Sequence, residues 1–317
     1  MSGNSIALLM PGQGSQFVGM GRELADSNTL AAEVFERANE VLGTDLRRIC
    51  WEGPEEELTR TENAQPAILL HSYAVWVCLP ETVRERVTVG AGHSLGEFSA
   101  YLAAGALRFE DAIRLVRRRG ELMARAGTVR PGTMAAVIGL DPDAVREVCE
   151  SVRDGIVVPA NYNAPGQIVI SGDIEAVGVA RERALEAGAK RAVPLNVSGA
   201  FHSPLMEDAR DGLALSLEGV QVREPRFPVV ANAAAVPVTD PGRARELLIE
   251  QLTSPVRWVE CVESMKSTMP DAWIEVGPGK VLTGLMRRID RGVSVRAIGG
   301  PEELDAVQAL VEEGDDA

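Results

Sequence analysis

Residues 87–104 read VTVGAGHSLGEFSAYLAA, and the fold turns on how that stretch is read. A β-branched run, Val87-Thr88-Val89, leads into Gly92-His93-Ser94-Leu95-Gly96, and a helix-like segment follows from Glu97 to Ala104. Strand, tight turn and helix in that order is the context in which G-x-S-x-G forms a nucleophile elbow. The serine takes a strained backbone there and projects its hydroxyl, and a Cβ at either glycine would crowd the turn. The helix N-terminus behind the serine favours developing negative charge. A plain glycine turn joining strand to helix is the competing reading.

Outward from the elbow, short β-rich runs alternate with longer helical stretches, which predicts an α/β architecture. Candidate strands are Ile6–Met10, Val87–Gly90, Phe227–Val230, Trp273–Val276 and Val293–Ile298. Helical periodicity marks Leu30–Leu42, Asp111–Arg125 and Arg243–Leu252. Between them one segment has a different order. Strand 134–140, helix 141–153, strand 155–160, strand 167–171, helix 173–188 and strand 192–197 give β-α-β-β-α-β, the ferredoxin-like split unit. Pro131-Gly132 marks its entry and Ser198-Gly199 its exit. The expected organisation is a large domain of residues 1–130 and 198–317 carrying a small inserted domain, residues 131–197.

Composition limits the function classes. The 317 residues are 45% hydrophobic and 25% charged, so most of the chain can bury a core and is not disordered. No stretch approaches the ~18 apolar residues of a membrane helix. Ile6–Met10 is short and no basic residue precedes it, unlike a signal peptide. A net charge of −14 argues against nucleic acid as the main partner. Cys50, Cys78, Cys149 and Cys261 are scattered, which fits buried thiols in a reducing cytoplasm rather than disulfides or a metal site. The acidic ending, 312–317, reads as a solvated tail.

A serine nucleophile needs a base, and the chain has three histidines. His71 sits in an apolar helical run and reads as a core residue. His93 adjoins Ser94 at a sharp turn, where neighbouring side chains diverge. His202, in a loop just past the small unit, remains as the general base. No carboxylate stands out as a third member. A second signal is Arg119. At about 100° per residue it shares a helix face with Ala112, Ile113, Val116, Gly120 and Met123, while Arg114, Arg118 and Arg125 lie opposite. An inward guanidinium must find an anion or carbonyls, either a substrate carboxylate or an internal ion pair. The turns Pro11–Gln16 and Gly277–Lys280 each follow a strand, but neither has dinucleotide or P-loop spacing.

Seven blocks together resemble the malonyl-CoA:acyl carrier protein transacylases, including the discrete acyltransferases that serve polyketide synthases. They are MPGQGSQ (10–16), GHSLGEFSA (92–100), RRRGELM (117–123), NYNAPGQIVISG (161–172), GAFHSPLM (199–206), QLTSPVRW (251–258) and EVGPGKVLTGL (275–285). The resemblance implies an α/β-hydrolase-like large domain with a ferredoxin-like insert. It implies Ser94 as nucleophile and His202 as base, with Gln251 orienting that histidine through its side-chain carbonyl. Backbone N–H groups of Gln13 and Leu95 would form the oxyanion hole, and Arg119 would hold a malonyl carboxylate. The implied reaction is ping-pong from an acyl-CoA to the phosphopantetheine thiol of an acyl carrier protein, with no bound cofactor or metal. Carrier proteins are acidic, so Arg153, Lys190, Arg191, Arg287 and Arg288 are the docking candidates.

Met10 stands where phenylalanine is often found, and GAFHS looks closer to polyketide-type enzymes. The acyl group therefore stays open among malonyl, substituted malonyl and larger chains. Carrier-to-carrier transfer, an editing hydrolase or a non-catalytic carrier-binding module are the other readings.

Overall fold

The computed structural model describes residues 5–307, and its ten strands form two sheets. In chain order they are β1 (Ile6–Met10), β2 (Val87–Gly92), β3 (Gly132–Ile138), β4 (Val157–Ala164), β5 (Gln167–Asp173), β6 (Arg191–Pro194), β7 (Val229–Val230), β8 (Pro237–Val238), β9 (Ala272–Val276) and β10 (Val295–Ile298). The larger sheet runs β10-β9-β1-β2-β7-β8 and is parallel except for the β7–β8 pair. β1 is buried along its whole length. Its alternating side chains serve two cores: Ile6, Leu8 and Met10 pack on one face, Ala7 and Leu9 with Trp258 and Val262 on the other. Covered faces explain why these strands read as apolar runs rather than as alternation.

The smaller sheet is antiparallel throughout, in the order β4-β5-β3-β6. Helices Pro142–Ser151 and Ile174–Glu186 follow β3 and β5, so the chain order is the expected β-α-β-β-α-β. Period-2 alternation sets what each face does. Ala135, Val137, Ile168 and Ile170 pack against the two helices, while Met134 and Val169 face the main core and the cleft beside it. The chain leaves for this sheet and returns from it at one place: a Cβ on Gly127 would lie 2.0 Å from the Ser198 carbonyl oxygen.

Two expected strands are shorter than their patterns. Only Val229–Val230 pairs from the 227–230 run. Pro228 has no N–H to give, although its carbonyl accepts from Gly90 N–H at 2.9 Å. β6 stops at Pro194, and Leu195, Asn196 and Val197 line the cleft instead. All four cysteines are unpaired, and Cys78 is only half-buried. Burial pushes the Cys50 and Cys149 thiols up to about 12 and Cys78 up to about 11, so none is a ready thiolate. Among the described residues no helix is long and apolar enough to cross a membrane, and no metal-binding group of acidic, histidine or cysteine side chains is gathered. The acidic ending at 312–317 lies outside the described residues.

Candidate active site

β1 and β2 lie side by side with Met10 opposite Gly92, so the loops that follow them meet at one edge of the sheet. His93 N–H donates to the Met10 carbonyl at 3.0 Å. Ser94 is the N-cap of the helix Leu95–Ala103, at φ 51° and ψ −105°. Left-handed backbone at a non-glycine residue stores strain that the surroundings must enforce. Here they do: a Cβ on Gly92 would sit 1.9 Å from the Gly96 carbonyl, and one on Gly96 2.1 Å from the Met10 oxygen. Both glycines of the motif are therefore contact requirements. A Cβ on Gly12 would likewise meet the His93 oxygen at 2.2 Å, so the Pro11–Gln16 loop is pressed onto the elbow. That brings the N–H groups of Gln13 and Leu95 to the same edge. Neither donates to another described residue, which leaves both open to an oxyanion.

His202 also has left-handed backbone, at φ 56°, and is buried. Its Nε2 lies 2.7 Å from Ser94 Oγ. Its Nδ1 faces two carbonyl oxygens, Gln251 at 2.9 Å and Ser254 at 3.2 Å. Carbonyls only accept, so Nδ1 carries the proton and the Nε2 lone pair faces the serine hydroxyl. The expectation for Gln251 is corrected here. Its backbone carbonyl, not its side chain, orients His202; the side-chain amide is engaged elsewhere, its Nε2 donating to the Ser94 carbonyl at 3.0 Å and to Glu97 Oε2 at 2.7 Å. Burial and then the nearby Arg119 charge push His202 down to about 3, so its imidazole is neutral across the physiological range.

Arg119 is 1% exposed, in the helix Phe109–Val129. Nη1 donates to Gln65 Oε1 at 2.7 Å, and Nη2 donates to Gln251 Oε1 at 2.8 Å and to Ser94 Oγ at 3.1 Å. Nε has no partner among the described residues. Burial lowers Arg119 to about 10, which still leaves it protonated at neutral pH. The helical-face argument thus finds its residue beside the serine, held by amides and a hydroxyl rather than by a carboxylate.

A cavity of about 420 Å³ opens onto Ser94 and His202, lined on one side by these two and Gln13 and on the other by Met134, Asn161 and Val169 of the small sheet. His93 points across it, its Nε2 2.7 Å from Asn163 Oδ1. His71 is buried away from this site, at 1% exposure, and burial lowers it to about 4.

The acyl transferase domain family matches residues 8–301 of the chain. The malonyl CoA-acyl carrier protein transacylase of Bacillus subtilis is 46% identical over 99% of this chain and 100% of its own length. The chain belongs to the malonyl CoA-acyl carrier protein transacylase family. Among solved structures, the acyl-carrier-protein S-malonyltransferase of Bartonella henselae superposes with a TM-score of 0.93 at 43% identity, covering 97% of this chain and 99% of that one. A malonyl-transacylase solved in complex with a type II polyketide synthase acyl carrier protein gives a TM-score of 0.90 at 41% identity, over 96% of this chain and 98% of that one. The chain is an acyltransferase of mixed α/β fold.

Within this family member, three site residues escape a reading of motifs. Gln65 anchors Arg119 from the helix Thr61–Cys78. Asn232 accepts from Ser94 N–H at 2.7 Å and donates to the Gly92 carbonyl at 2.8 Å, fastening the elbow from below. Glu97 accepts from Asn232 N–H and from Gln251. Gln65 and Glu97 each lie in a helix that buries other polar side chains too, Asn63, His71 and Ser72 in one and Ser99 and Tyr101 in the other, so residue type alone does not single them out. The five basic candidates are all exposed. Lys190 and Arg191 sit at the Ile138–Gln167 end of the small sheet, where Arg288 donates to Gln167 at 2.8 Å. Arg153 precedes β4 at the opposite end.

Proposed function

We propose that this enzyme moves a malonyl group from CoA to the phosphopantetheine thiol of an acyl carrier protein through an ester on Ser94. The observation that carries the reading is one hydroxyl with two partners: Ser94 Oγ lies 2.7 Å from a neutral, oriented imidazole and 3.1 Å from a buried guanidinium. His202 takes the serine proton as Oγ attacks the thioester carbonyl. The tetrahedral oxyanion is held by the Leu95 N–H at the N-terminus of its helix and by the Gln13 N–H from the Pro11–Gln16 loop. Collapse breaks the C–S bond, and the leaving CoA thiolate receives the proton from His202. In the second half the carrier's thiol gives its proton to His202, its sulfur attacks the ester, and Ser94 leaves and is reprotonated.

Arg119 supplies the preference for a dicarboxylic acyl group. Its Nε has no partner among the described residues, and its Nη2 would exchange the Ser94 Oγ contact for a carboxylate oxygen, giving the paired geometry that guanidinium favours. The relatives' names support malonyl as that group and an acyl carrier protein as the acceptor. Lys190, Arg191, Arg287 and Arg288 fit a docking face for an acidic carrier at one end of the small sheet, and Arg153 is the outlying candidate. Residues 131–197 are read as a ferredoxin-like insert in an α/β-hydrolase-like domain of residues 1–130 and 198–317, a reading supported by the small sheet's strand order. The unpaired thiols support a reducing, cytoplasmic setting. The chemistry needs no bound cofactor, since the CoA thioester already activates the acyl carbon.

The test is intact-protein mass spectrometry after brief incubation with acyl-CoA thioesters. A malonyl adduct is expected on the wild type, absent in Ser94→Ala and lost when carrier protein is added; stable loading of Ser94→Ala would overturn the assignment. Arg119→Ala is expected to slow malonyl loading at least a hundredfold more than acetyl loading, since a buried charged hydrogen bond to substrate is worth about 3 kcal/mol.

A further inference from the structure

The mechanism above leaves the buried carboxyl beside the elbow without a role. Glu97, in the first turn of the helix behind the elbow, is fully buried. Its Oε2 accepts from Asn232 N–H at 3.0 Å and from Gln251 Nε2 at 2.7 Å, while Oε1 has no partner among the described residues. The Gln251 amide is the link to the substrate end of the site. Its oxygen accepts from Arg119 and its nitrogen donates to Glu97, so a cation on one side and a carboxyl on the other fix its orientation. Arg119 and Glu97 attract each other across that single amide. The other groups facing Glu97 are Tyr101 on its own helix and Cys261 on the helix Trp258–Lys266, both held neutral by burial.

We propose that Glu97 is a specificity-determining proton acceptor: it balances the Arg119 charge in the empty site and takes up a proton when a carboxylate-bearing acyl group binds Arg119. The proposal rests on the reading of Arg119 as the carboxylate clamp. Its basis is charge. Two carboxylates and one guanidinium in a buried site leave one negative charge uncompensated, which is strongly unfavourable in such surroundings. Of the neighbouring groups, His202 stays neutral in the empty site, since burial and then Arg119 hold it near 3. Glu97 is poised for the proton: burial raises it to about 7 against the opposing pull of Asn232, Gln251 and Arg119. A substrate carboxylate that engages Arg119 weakens that last pull and raises Glu97 further. The step forms one O–H bond on Glu97 with a proton from solvent. An acetyl group brings no charge and takes up none.

The linkage has a definite sign. Binding that takes up a proton weakens as pH rises above the free group's value. Calorimetry of malonyl-CoA binding to the Ser94→Ala protein, at pH 7.5 in two buffers of different ionisation enthalpy, counts the protons. About 0.7 proton per malonyl-CoA and none per acetyl-CoA are expected, because a carboxyl titrating near 7 is roughly three-quarters ionised at that pH. In the wild type the KM for malonyl-CoA should rise about five- to tenfold between pH 7.5 and 8.5 with kcat changing far less. The added Glu97→Gln change, which mimics the protonated form, should keep malonyl-CoA binding, abolish proton uptake and flatten the pH dependence.

Zero proton uptake with malonyl-CoA, a flat KM profile in the wild type, or undiminished uptake in the Glu97→Gln protein would each overturn the proposal. The first two need no Glu97 variant, so a failure of that variant to fold leaves the test intact. Failure of the wild type to load malonyl at all would instead remove the functional reading on which the proposal rests.

Discussion

The two sheets solve different problems with different means. In the proposed mechanism the large sheet carries the reacting groups on strained backbone: Ser94 and His202 are both at positive φ, and glycines in backbone contact enforce the turn. The small sheet between Gly132 and Pro194 has no non-glycine residue at positive φ and no histidine. It offers the cleft a strand face, Met134, Asn161 and Val169, held by apolar packing on its other side, with β4 shifting register around Asn161. Reactivity here depends on geometry that many contacts must over-determine, whereas a pocket wall needs only a steady surface. The difference predicts where mutations hurt chemistry and where they alter only stability.

His202→Ala should give the largest effect, a loss of about 10²–10⁴ in acyl transfer with little change in folding stability, measured by loading rate and thermal melt together. Loading close to wild type would break the comparison, since the strained region would then not be the reactive one. Gly92→Ala comes next. With its Cβ 1.9 Å from the Gly96 backbone, it should cost about 3 kcal/mol or more and lower loading as well, read from denaturant unfolding and adduct formation. Native stability in that variant would mean the elbow has room that the contact distances deny.

Acid should also find the large region first. His71 and His202 are buried neutral, at about 4 and about 3 against the ordinary 6.5, and burial lowers His93 too. The unfolded chain therefore binds more protons on these residues, and the stability they contribute above about pH 6.5 is lost as pH falls toward their folded values. Each contributes up to about 1.4 kcal/mol per pH unit in that window. Glu97, raised to about 7, works in the opposite direction between its ordinary value and 7 and offsets one of them. The melting temperature should thus fall between pH 7 and pH 5; a flat profile would mean that the histidines are charged in the fold. The smallest effect belongs to the small unit. Gly178, in the helix Ile174–Glu186, has nothing within 4 Å of where a Cβ would stand. Gly178→Ala should stabilise by about 0.5–1 kcal/mol in denaturant unfolding and leave loading unchanged.

Much of this was legible in residue types. The elbow announced itself by its glycines and flanking periodicity, Arg119 by its phase on an amphipathic helix, and the small unit by the order of its elements. What escaped shares a physical cause. His202 is oriented by the main-chain carbonyls of Gln251 and Ser254, and every residue has a carbonyl, so no side-chain pattern encodes that job. Asn232 and Glu97 act through hydrogen bonds to partners more than 130 positions away in sequence. Their roles depend on how loops are brought together, which local periodicity does not report. The apolar pattern runs past β6 because the side chains of Leu195 and Val197 line the cleft, although Leu195 N–H still donates to the Met134 carbonyl at 3.0 Å.

The near-contact of Gly127 with Ser198 has an engineering corollary. On the proposed boundaries, two connections that leave the large sheet side by side would make residues 131–197 a cassette, exchangeable for one from another acyltransferase by joining two adjacent seams. The Ser94–His202 pair would stay on its own scaffold through such a graft, so a chimaera would change the wall that greets the acyl chain while inheriting the bond-making machinery whole.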